Sequence, residues 1–269
     1  MKVRSKTFLV TGAGGGIGGA ITKELIHRGA EVIGVDLSLA GLKGTQSKLG
    51  DDAPAFTPKT LNITDKKAIE KLPAWLAEQG RVVDGVINCA GIIQPFERVN
   101  DLKYEDIERV MNINFYGTLY ITKTFLPDLL KRPEAYVANI SSMGGFLPVP
   151  GQSVYGASKA AVKLLTEALY AELIDTPVHV SIIFPGATNT NIAQNSRVKA
   201  PSVSDEQTAK LQASTLSPNA AARIVVNGIE KNQTYIYTGK DSRFMNKLYR
   251  LNPRYATRFI ARQMKSLLG

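Results

Sequence analysis

Tyr155 and Lys159 lie four residues apart in the segment VYGASKAAV, which begins a helical pattern. Residues four positions apart on a helix lie one turn apart on the same face. An ammonium group beside a phenol favours the phenolate and lowers the pKa of the phenol from about 10 towards neutral pH. The pair is therefore a candidate general acid and base, although an isolated Y-x-x-x-K is also typical of an ordinary solvated helix.

A second candidate site is the glycine-rich segment TGAGGGIG, which follows an apolar segment and precedes a helical one. Glycines permit a tight turn and let a helix N-terminus approach a pyrophosphate, although such a segment is equally typical of a flexible loop. Asp36 ends the next predicted strand about 20 residues further on, where a carboxylate binds the ribose hydroxyls of an adenosine. Neither Leu37 nor Ser38 is a cation that would receive a 2′-phosphate. The pattern therefore favours NAD over NADP.

Alternating strands and helices have to position these residues. Short apolar segments rich in β-branched residues alternate with helical patterns, which predicts an α/β fold with a Rossmann-type, doubly wound parallel sheet flanked by helices in a single domain. The predicted strands are TFLVTG, EVIGVD, AFTPKTLN (weakened by Pro58), VVDGVINCAG, AYVANISS and VHVSIIFPG. Helices are predicted over 16–28, 38–48 and 65–79, as a pair within 101–131, and over 155–174.

The chain divides into two predicted regions. Residues 1–239 form the dinucleotide-binding and catalytic domain, and residues 240–269 form a basic amphipathic helical extension, called the tail below. Within the first region, residues from about 187 to 216 are polar and show no early periodicity. This segment is predicted to be a mobile lid.

Composition argues against several other classes of protein. The chain is 44% hydrophobic and 21% charged, as soluble globular proteins are. Its single cysteine, Cys89, forms no intramolecular disulfide, which suits a reducing cytoplasm. Two histidines and one cysteine provide no zinc-type ligand set, so no metal is expected. No G-x-S-x-G elbow of a hydrolase occurs, and no segment approaches the roughly 18 apolar residues of a membrane-spanning helix.

Six motifs, in order along the chain, resemble those of the short-chain dehydrogenase/reductase family. They are TGAGGGIG for T-G-x-x-x-G-x-G, NCAG for N-N-A-G, NFYG, ISS, YGASK for Y-x-x-x-K and PGATNT for P-G-x-x-x-T. Each motif alone is weak or moderate, but six in order at family-like separations are highly specific. The resemblance implies an NAD(P)-dependent oxidoreductase that acts on CH–OH groups of a small-molecule alcohol or carbonyl compound.

The resemblance also implies a role for each catalytic residue. Tyr155 would exchange a proton with the substrate oxygen, and Ser142 would hold that oxygen. Lys159 would favour the tyrosinate and bind the nicotinamide ribose, and Asn114 would anchor a water in a proton relay. Ser141 is the less suitable serine, because Ser142 has the expected spacing of thirteen residues before Tyr155.

The implied cofactor-binding residues follow the same motifs. Thr190 would contact the nicotinamide carboxamide, and Asn62 stands where many relatives carry an Asp near the adenine. Cys89 replaces the commoner Asn of N-N-A-G, which loosens at most one structural hydrogen bond, and no reactive role is expected for this thiol. The full set is Gly12, Gly16, Ile17, Gly18, Asp36, Asn62, Ile63, Asn88, Ala90, Gly91, Tyr155, Lys159, Pro185, Gly186 and Thr190.

The leading interpretation is an NAD(H)-dependent alcohol dehydrogenase or carbonyl reductase for a hydrophobic substrate such as a steroid, a retinoid or an acyl chain. The segment GGFLPVPGQSV and the lid are candidates for the walls of an apolar pocket. One alternative is a 3-oxoacyl-carrier-protein-type reductase. Another is a non-catalytic nucleotide sensor or scaffold on the same fold, against which the complete set of catalytic residues argues. The resemblance further implies a homodimer or homotetramer formed through the long helices within 101–131 and 155–174.

The tail carries most of the positive charge. Residues 240–269 hold eight Lys or Arg and one Asp, a net charge of +7, whereas the other 239 residues have a net charge of only +3. A near-neutral body argues against nucleic-acid binding by the whole fold. Pro253 is predicted to separate two helical pieces. In the second piece, Arg254, Arg258, Arg262 and Lys265 form one stripe, and Tyr255, Phe259, Ile260, Met264 and Leu267 are predicted on the other side.

Two interpretations of the tail stay open. It packs on the body or on a partner subunit with a solvated basic face, or it lies on an anionic membrane surface. The expected location is accordingly cytoplasmic, with peripheral membrane contact under the second interpretation.

Overall fold

Seven parallel strands form one sheet in the computed structural model, which describes residues 1–198 and 215–264. The order across the sheet is β3-β2-β1-β4-β5-β6-β7. The strands are β1 (Thr7–Thr11), β2 (Glu31–Asp36), β3 (Phe56–Thr60), β4 (Gly85–Asn88), β5 (Ala135–Ile140), β6 (Val178–Pro185) and β7 (Tyr235–Thr238). This architecture confirms the predicted doubly wound α/β fold.

Helices cover both faces of the sheet. They are α1 (Gly16–His27), α2 (Leu39–Gln46), α3 (Lys66–Glu70), α4 (Leu72–Ala77), α5 (Tyr104–Met111), α6 (Thr118–Leu129), α7 (Ser153–Glu172), α8 (Ile192–Asn195), α9 (Pro218–Glu230), α10 (Lys240–Leu251) and α11 (Pro253–Gln263). A π-helical turn (Asn112–Gly117) joins α5 to α6, and 3-10 helical segments cover Ser47–Ala55 and Met143–Gly145.

The strands are apolar because both faces of the sheet are buried. In β1, Phe8 and Val10 pack into a cluster with residues of α1 and α9, whereas Leu9 packs into a second cluster with residues of α4 and α6. Parallel strands covered on both faces have this continuous apolar character. The chain leaves β1 and β4 towards opposite edges of the sheet, so their adjacent carboxyl ends open into a crevice.

One strand and one helix of the fold were not predicted from the sequence. Strand β7 has the sequence YIYT with alternating exposure, so it does not form an apolar run. Helix α9 precedes it and carries recognisable signals: the Ser217 side chain accepts a hydrogen bond from the Ala220 N–H group, and Pro218 occupies the first turn.

Two predicted elements differ in detail from the structure. The helix predicted over 65–79 is two short helices, because Pro73 lies in the first turn of α4, where its missing N–H group is tolerated. The strand containing Pro58 is β3, at the edge of the sheet, where a proline is tolerated.

The tail forms α10 and α11, separated at Pro253 as predicted, and packs on the body. Met245 and Ala256 form a buried cluster with Leu147, which belongs to the segment after β5. Of the predicted lid, residues 199–214 lie outside the described residues, as do Lys265 and Leu267 of the tail. Across the two described ranges, no helix combines the length and apolarity needed to cross a membrane.

Candidate active site

A cavity of about 720 Å³ lies at the carboxyl ends of the strands, beside the glycine-rich turn. It is lined by residues from the turn between β1 and α1, from the ends of β2 and β4, and from the segments after β5 and β6. Every predicted catalytic or cofactor-binding residue lines this cavity except Asn88 and Asn114. The fold thus brings together residues that are distant in the sequence.

The glycine-rich turn has the geometry of an anion-binding site. Gly12 has a φ of +70°, and a Cβ atom there would lie 2.9 Å from the Ala90 nitrogen; a Cβ atom at Gly18 would collide with the Gly12 carbonyl oxygen. Helix α1 begins directly after Gly15 with no side-chain cap and no acidic residue in its first turn. Its free N–H groups and the positive end of its dipole therefore face the cavity uncompensated, which fits a pyrophosphate.

Asp36 is held in a fixed orientation at the end of β2. Its Oδ2 accepts a hydrogen bond from the Gly14 N–H group (2.9 Å), and its Oδ1 accepts one from the Ser38 N–H group (2.9 Å). A carboxylate has about four acceptor sites, so lone pairs remain for the hydroxyls of a ribose. Lys159 is the only Lys or Arg among the described residues that line the cavity.

Asn62 and Ile63, which follow β3, also line the cavity. Asn62 Oδ1 accepts hydrogen bonds from the Thr64 N–H group (3.0 Å) and from the Thr64 hydroxyl (2.9 Å). The turn that follows β3 is thereby fixed beside Asp36. Thr190 lies next to Gly16, where an added Cβ atom would come within 3.8 Å of the threonine side chain.

The side chains of Tyr155 and Ser142 are neighbours in the cavity. Burial raises the pKa of Tyr155, and the interaction with the Ser142 side chain opposes the rise. The pKa is therefore shifted opposite to the sequence prediction, because loss of hydration of the tyrosinate outweighs the stabilisation that its neighbours provide. Ser141 donates its hydroxyl to the Lys159 carbonyl oxygen (2.7 Å), so Ser142 is the serine whose side chain interacts with Tyr155.

Lys159 is a buried ammonium group with one hydrogen-bond acceptor. Its Nζ donates to the Ile140 carbonyl oxygen (3.0 Å), and no described carboxylate lies within ion-pair distance. Burial lowers the pKa of Lys159 to about 8. Burial also raises the pKa of Cys89 to about 12, which keeps this neighbouring thiol protonated and unreactive.

Asn114 holds the loop after β4 against α7. Its Oδ1 accepts from the Ile92 N–H group (2.9 Å), and its Nδ2 donates to the Ile92 carbonyl oxygen (2.9 Å) and to Ser158 Oγ (2.9 Å). The residue lies in the π-helical turn, a distortion that often occurs at functional sites. These contacts make Asn114 a positioning residue, and its contact with a water stays a prediction.

The Asn88 side chain has a structural role. Its Nδ2 donates to Asn139 Oδ1 (2.8 Å) and to Thr122 Oγ1 (3.0 Å), inside the packing between β4, β5 and α6. The predicted contact of Asn88 with the cofactor stays a prediction.

The apolar wall of the cavity also differs from the prediction. The segment GGFLPVPGQSV lines a separate groove of about 680 Å³ against the tail and β7, because its Leu147 packs under α10 and α11. Five isoleucines line the cavity instead: Ile92, Ile93, Ile113, Ile140 and Ile192.

Gln94 is a site residue that the sequence analysis missed. This fully buried side chain accepts hydrogen bonds through Oε1 from the N–H groups of Val154 (2.7 Å) and Tyr155 (2.9 Å), and donates through Nε2 to the Gly151 carbonyl oxygen (3.0 Å). It therefore supplies the N-terminal cap of α7, which Gln152 at the cap position does not provide. No local pattern signals this contact, since 61 residues separate Gln94 from Tyr155.

Comparisons with known proteins agree with this geometry. Residues 6–201 match the family model described as short chain dehydrogenase. The chain is 31% identical over 252 residues to the putative oxidoreductase SadH of Mycobacterium tuberculosis. The aligned region covers 91% of this chain and 90% of that protein.

Two solved structures share the fold. One is a short chain dehydrogenase/reductase from Burkholderia phymatum in complex with NAD, with a TM-score of 0.82, 23% identity and coverage of 95% of this chain and 96% of that one. The other is a short chain dehydrogenase from Burkholderia cenocepacia in complex with NADP, with a TM-score of 0.78, 22% identity and coverage of 97% and 99%.

Proposed function

Since the chain belongs to the short-chain dehydrogenase/reductase family and is an NAD(P)-dependent oxidoreductase, we propose that it interconverts a secondary alcohol and a carbonyl with NAD(H) as the preferred cofactor. The observation that carries this proposal is the position of Tyr155, Ser142 and Lys159 in one cavity with the glycine-rich turn and Asp36.

In the proposed reduction, Tyr155 protonates the substrate oxygen while Ser142 hydrogen-bonds to the same atom. The nicotinamide cofactor, when bound, would supply the hydride for the substrate carbon. The raised pKa of Tyr155 keeps its hydroxyl protonated at neutral pH, which suits the donation of a proton. In the oxidation, the tyrosinate form of Tyr155 accepts the proton of the alcohol, and the positive charge of Lys159 favours that tyrosinate before the transfer.

The cavity residues would hold the cofactor along its length. The first turn of α1 would bind the pyrophosphate, Asp36 the adenosine ribose, and Asn62 with Ile63 the adenine. Lys159 would bind the nicotinamide ribose, and Thr190 the carboxamide. The free acceptor sites of Asp36, together with the scarcity of cations in the described lining, support the preference for NAD.

The isoleucine wall supports a hydrophobic substrate. Ile92, Ile93 and Ile192 line the same cavity as the candidate catalytic groups, and apolar walls bind steroid, retinoid or acyl-chain surfaces through the hydrophobic effect. The wall favours these classes over sugars or other strongly polar alcohols.

The proposal also includes assembly and a peripheral contact. Large apolar side chains on the helices from α5 to α7 are exposed, among them Tyr116, Leu164 and Tyr170. Such a surface is typical of an interface, which supports a homodimer or homotetramer formed through these helices. The tail would contact an anionic membrane surface.

The test of catalysis is the oxidation of NADH in the presence of a panel of ketones and aldehydes. Tyr155→Phe is expected to lower turnover by about 10³-fold or more while leaving NADH binding nearly intact, because only the transferable proton is removed. Tyr104→Phe, at an exposed tyrosine, is the matched control and should behave like the unaltered protein. Substantial turnover by Tyr155→Phe would refute the assignment, and NADH binding without turnover of any carbonyl would instead support a nucleotide sensor.

The test of cofactor preference is Asp36→Ala. Removing the carboxylate abolishes its repulsion of a 2′-phosphate, so the ratio of kcat/KM for NADH to that for NADPH should fall by about tenfold or more, or ~1.4 kcal/mol. Asp52→Ala, at an exposed carboxylate outside the cavity lining, serves as the control. An unchanged ratio in Asp36→Ala would contradict the proposed role of this residue.

A further inference from the structure

The outward faces of α10 and α11 combine cations with large apolar side chains. Phe244, Leu251 and Tyr255 are 60%, 85% and 56% exposed. They stand among six exposed cations, and no described residue forms an ion pair with any of these six. The cations are Arg243, Lys247, Arg250, Arg254, Arg258 and Arg262.

The exposed residues of each helix share one face. Phe244 and Leu251 are seven positions apart in α10, which is about two turns, and Lys247 lies between them on the same side. In α11, Tyr255 lies beside Arg258 and Arg262. Tyr255 thus belongs to the cationic face and not to the buried side on which the sequence pattern placed it.

The opposite faces of both helices are buried together. Met245 of α10 and Ala256 of α11 pack against Leu147, with Leu248 and Phe259 beside them. The two outward faces therefore cover the same cluster from outside. We call these two outward faces together the tail surface.

A solvated basic face would account for the cations alone. It would not account for three large apolar side chains that are each more than half exposed, since isolated charges need no apolar neighbours. A nucleic-acid site would likewise need the cations and not the exposed aliphatic Leu251 at the end of α10. A bilayer with anionic headgroups needs both, because headgroup phosphates bind cations and the acyl boundary receives apolar side chains.

We propose that the tail surface is a docking site for a bilayer that contains anionic phospholipids. Phe244, Leu251 and Tyr255 enter the boundary between headgroups and acyl chains, and the surrounding Lys and Arg side chains bind headgroup phosphates. The helices lie parallel to the bilayer plane.

The tail surface is fixed to the catalytic body near the cavity. Asp241 Oδ2 accepts a hydrogen bond from the Ala187 N–H group (2.9 Å), and Ser242 Oγ donates to the Phe184 carbonyl oxygen (2.9 Å). Phe184 and Ala187 flank Pro185 and Gly186, which line the cavity. A bilayer that binds the tail surface therefore sets the orientation of the whole catalytic body.

The experiment is co-sedimentation of the full chain with vesicles of phosphatidylcholine alone and of equal parts phosphatidylcholine and phosphatidylglycerol. The unaltered protein should bind the anionic vesicles at low salt, bind them less at high salt, and leave the neutral vesicles unbound. Turnover of NADH by the same samples is measured in parallel, so that a failure of docking and a failure of the proposed oxidoreductase activity are separate results.

Matched variants separate the two contributions. Lys247, Arg254 and Arg258 changed together to Gln should weaken binding by about 100-fold, because each cation near an anionic surface contributes about fivefold. Lys66, Lys67 and Lys71 changed to Gln remove the same charge from the exposed surface of α3 and the residue after it, and should leave binding unchanged. Phe244, Leu251 and Tyr255 changed to Ser should weaken binding by more than about tenfold.

Three results would overturn the proposal. The first is that the unaltered protein does not bind anionic vesicles at low salt. The second is that the glutamine variant of the tail and the glutamine control at Lys66, Lys67 and Lys71 lose equal amounts of vesicle binding. The third is that the serine variant binds vesicles as well as the unaltered protein does. If the serine variant bound both duplex DNA and anionic vesicles as tightly as the unaltered protein does, the tail surface would instead be a general polyanion-binding surface.

Discussion

Two charged side chains are equally buried at opposite ends of the parallel strands, but they differ in their hydrogen-bond partners. At the amino ends, Asp84 is 4% exposed, and it accepts hydrogen bonds from Arg132 Nε (2.9 Å), Arg132 Nη2 (2.7 Å) and the Thr7 N–H group (2.9 Å). At the carboxyl ends, Lys159 is also 4% exposed, but it has one neutral acceptor, the Ile140 carbonyl oxygen.

The difference separates a charge that stabilises the fold from one that we propose serves catalysis. A buried charge with a bidentate partner and further hydrogen bonds recovers its desolvation cost, whereas an unpaired one does not. Burial without a charged partner is also the cause of the lowered pKa of Lys159. Such groups concentrate at functional sites, since a ligand supplies the missing partner there. The buried charge at the amino ends of the strands therefore has its partners within the protein, whereas the buried charge at the carboxyl ends can take a ligand as its partner.

Exchanging each cation for an apolar side chain of similar length should give opposite results. Lys159→Met is expected to lower kcat/KM by roughly 10³-fold, because it removes the charge beside the tyrosinate, yet to raise the free energy of unfolding at pH 7 by about 2 kcal/mol. Arg132→Met is expected to lower the free energy of unfolding by about 3 kcal/mol, because Asp84 loses both Arg132 hydrogen bonds and keeps the more distant Lys6 Nζ (3.9 Å) as its described cation, and to leave kcat nearly unchanged. Urea unfolding and steady-state kinetics of both variants measure these effects.

A control for the exchange is Lys103→Met, at an exposed lysine that does not line the cavity. It should change neither quantity by more than the error of the measurements. If Lys159→Met proved as destabilising as Arg132→Met, Lys159 would have to be a structural charge, and the contrast between the two ends of the strands would disappear.

The same contrast predicts a pH dependence of stability in the cofactor-free protein. The pKa of Lys159 is lowered from 10.5 to about 8, so between these values the unfolded chain binds more protons than the folded one. Stability therefore rises with pH across this window, by about 2 kcal/mol between pH 8 and pH 10. Above pH 10 the raised pKa of Tyr155 acts with the opposite sign, because the folded state then retains the phenolic proton.

The measurement is the difference in the free energy of unfolding between the unaltered protein and Lys159→Met as a function of pH. That difference should shrink from neutral pH towards pH 10, while the corresponding difference for Arg132→Met should stay constant, since Arg132 stays protonated throughout. A difference that does not change with pH in Lys159→Met would mean that the ammonium group has a solvated environment.

The parts of the site that follow from strand ends were predictable from the sequence. Asp36 ends β2, the glycine-rich turn follows β1, and Ser142 comes two residues after the end of β5. Because the carboxyl ends of parallel strands meet at one edge, residues at these positions have to converge. Tyr155 and Lys159 were predictable for another reason, since the helical period alone puts them on one face.

The parts that depend on long-range packing were not predictable. The alternation of strand β4 does not reveal whether Asn88 faces a ligand or an interior partner such as Asn139. The shift in the pKa of Tyr155 was predicted with the wrong sign, because sequence spacing shows its charged neighbour but not its burial. The apolar segment around Leu147 was assigned to the substrate pocket, although the tail covers it.

Gln94 sharpens the comparison, because it is a fully satisfied buried group like Asp84 but lies at the carboxyl ends of the strands beside Tyr155. Gln94→Met removes the acceptor for two N–H groups in the first turn of α7, and loss of a helix cap costs about 1 kcal/mol. Because Tyr155 belongs to that turn, kcat should fall by about tenfold with little change in the KM for NADH, and the pH profile of kcat should shift. Gln94→Glu restores the acceptor and should recover part of kcat. If the cap had a purely structural role, Gln94→Met would lower Tm but would leave the kcat of the folded enzyme and its pH profile as they are in the unaltered protein. Gln94 would then belong with Asp84 among the groups that only stabilise the fold.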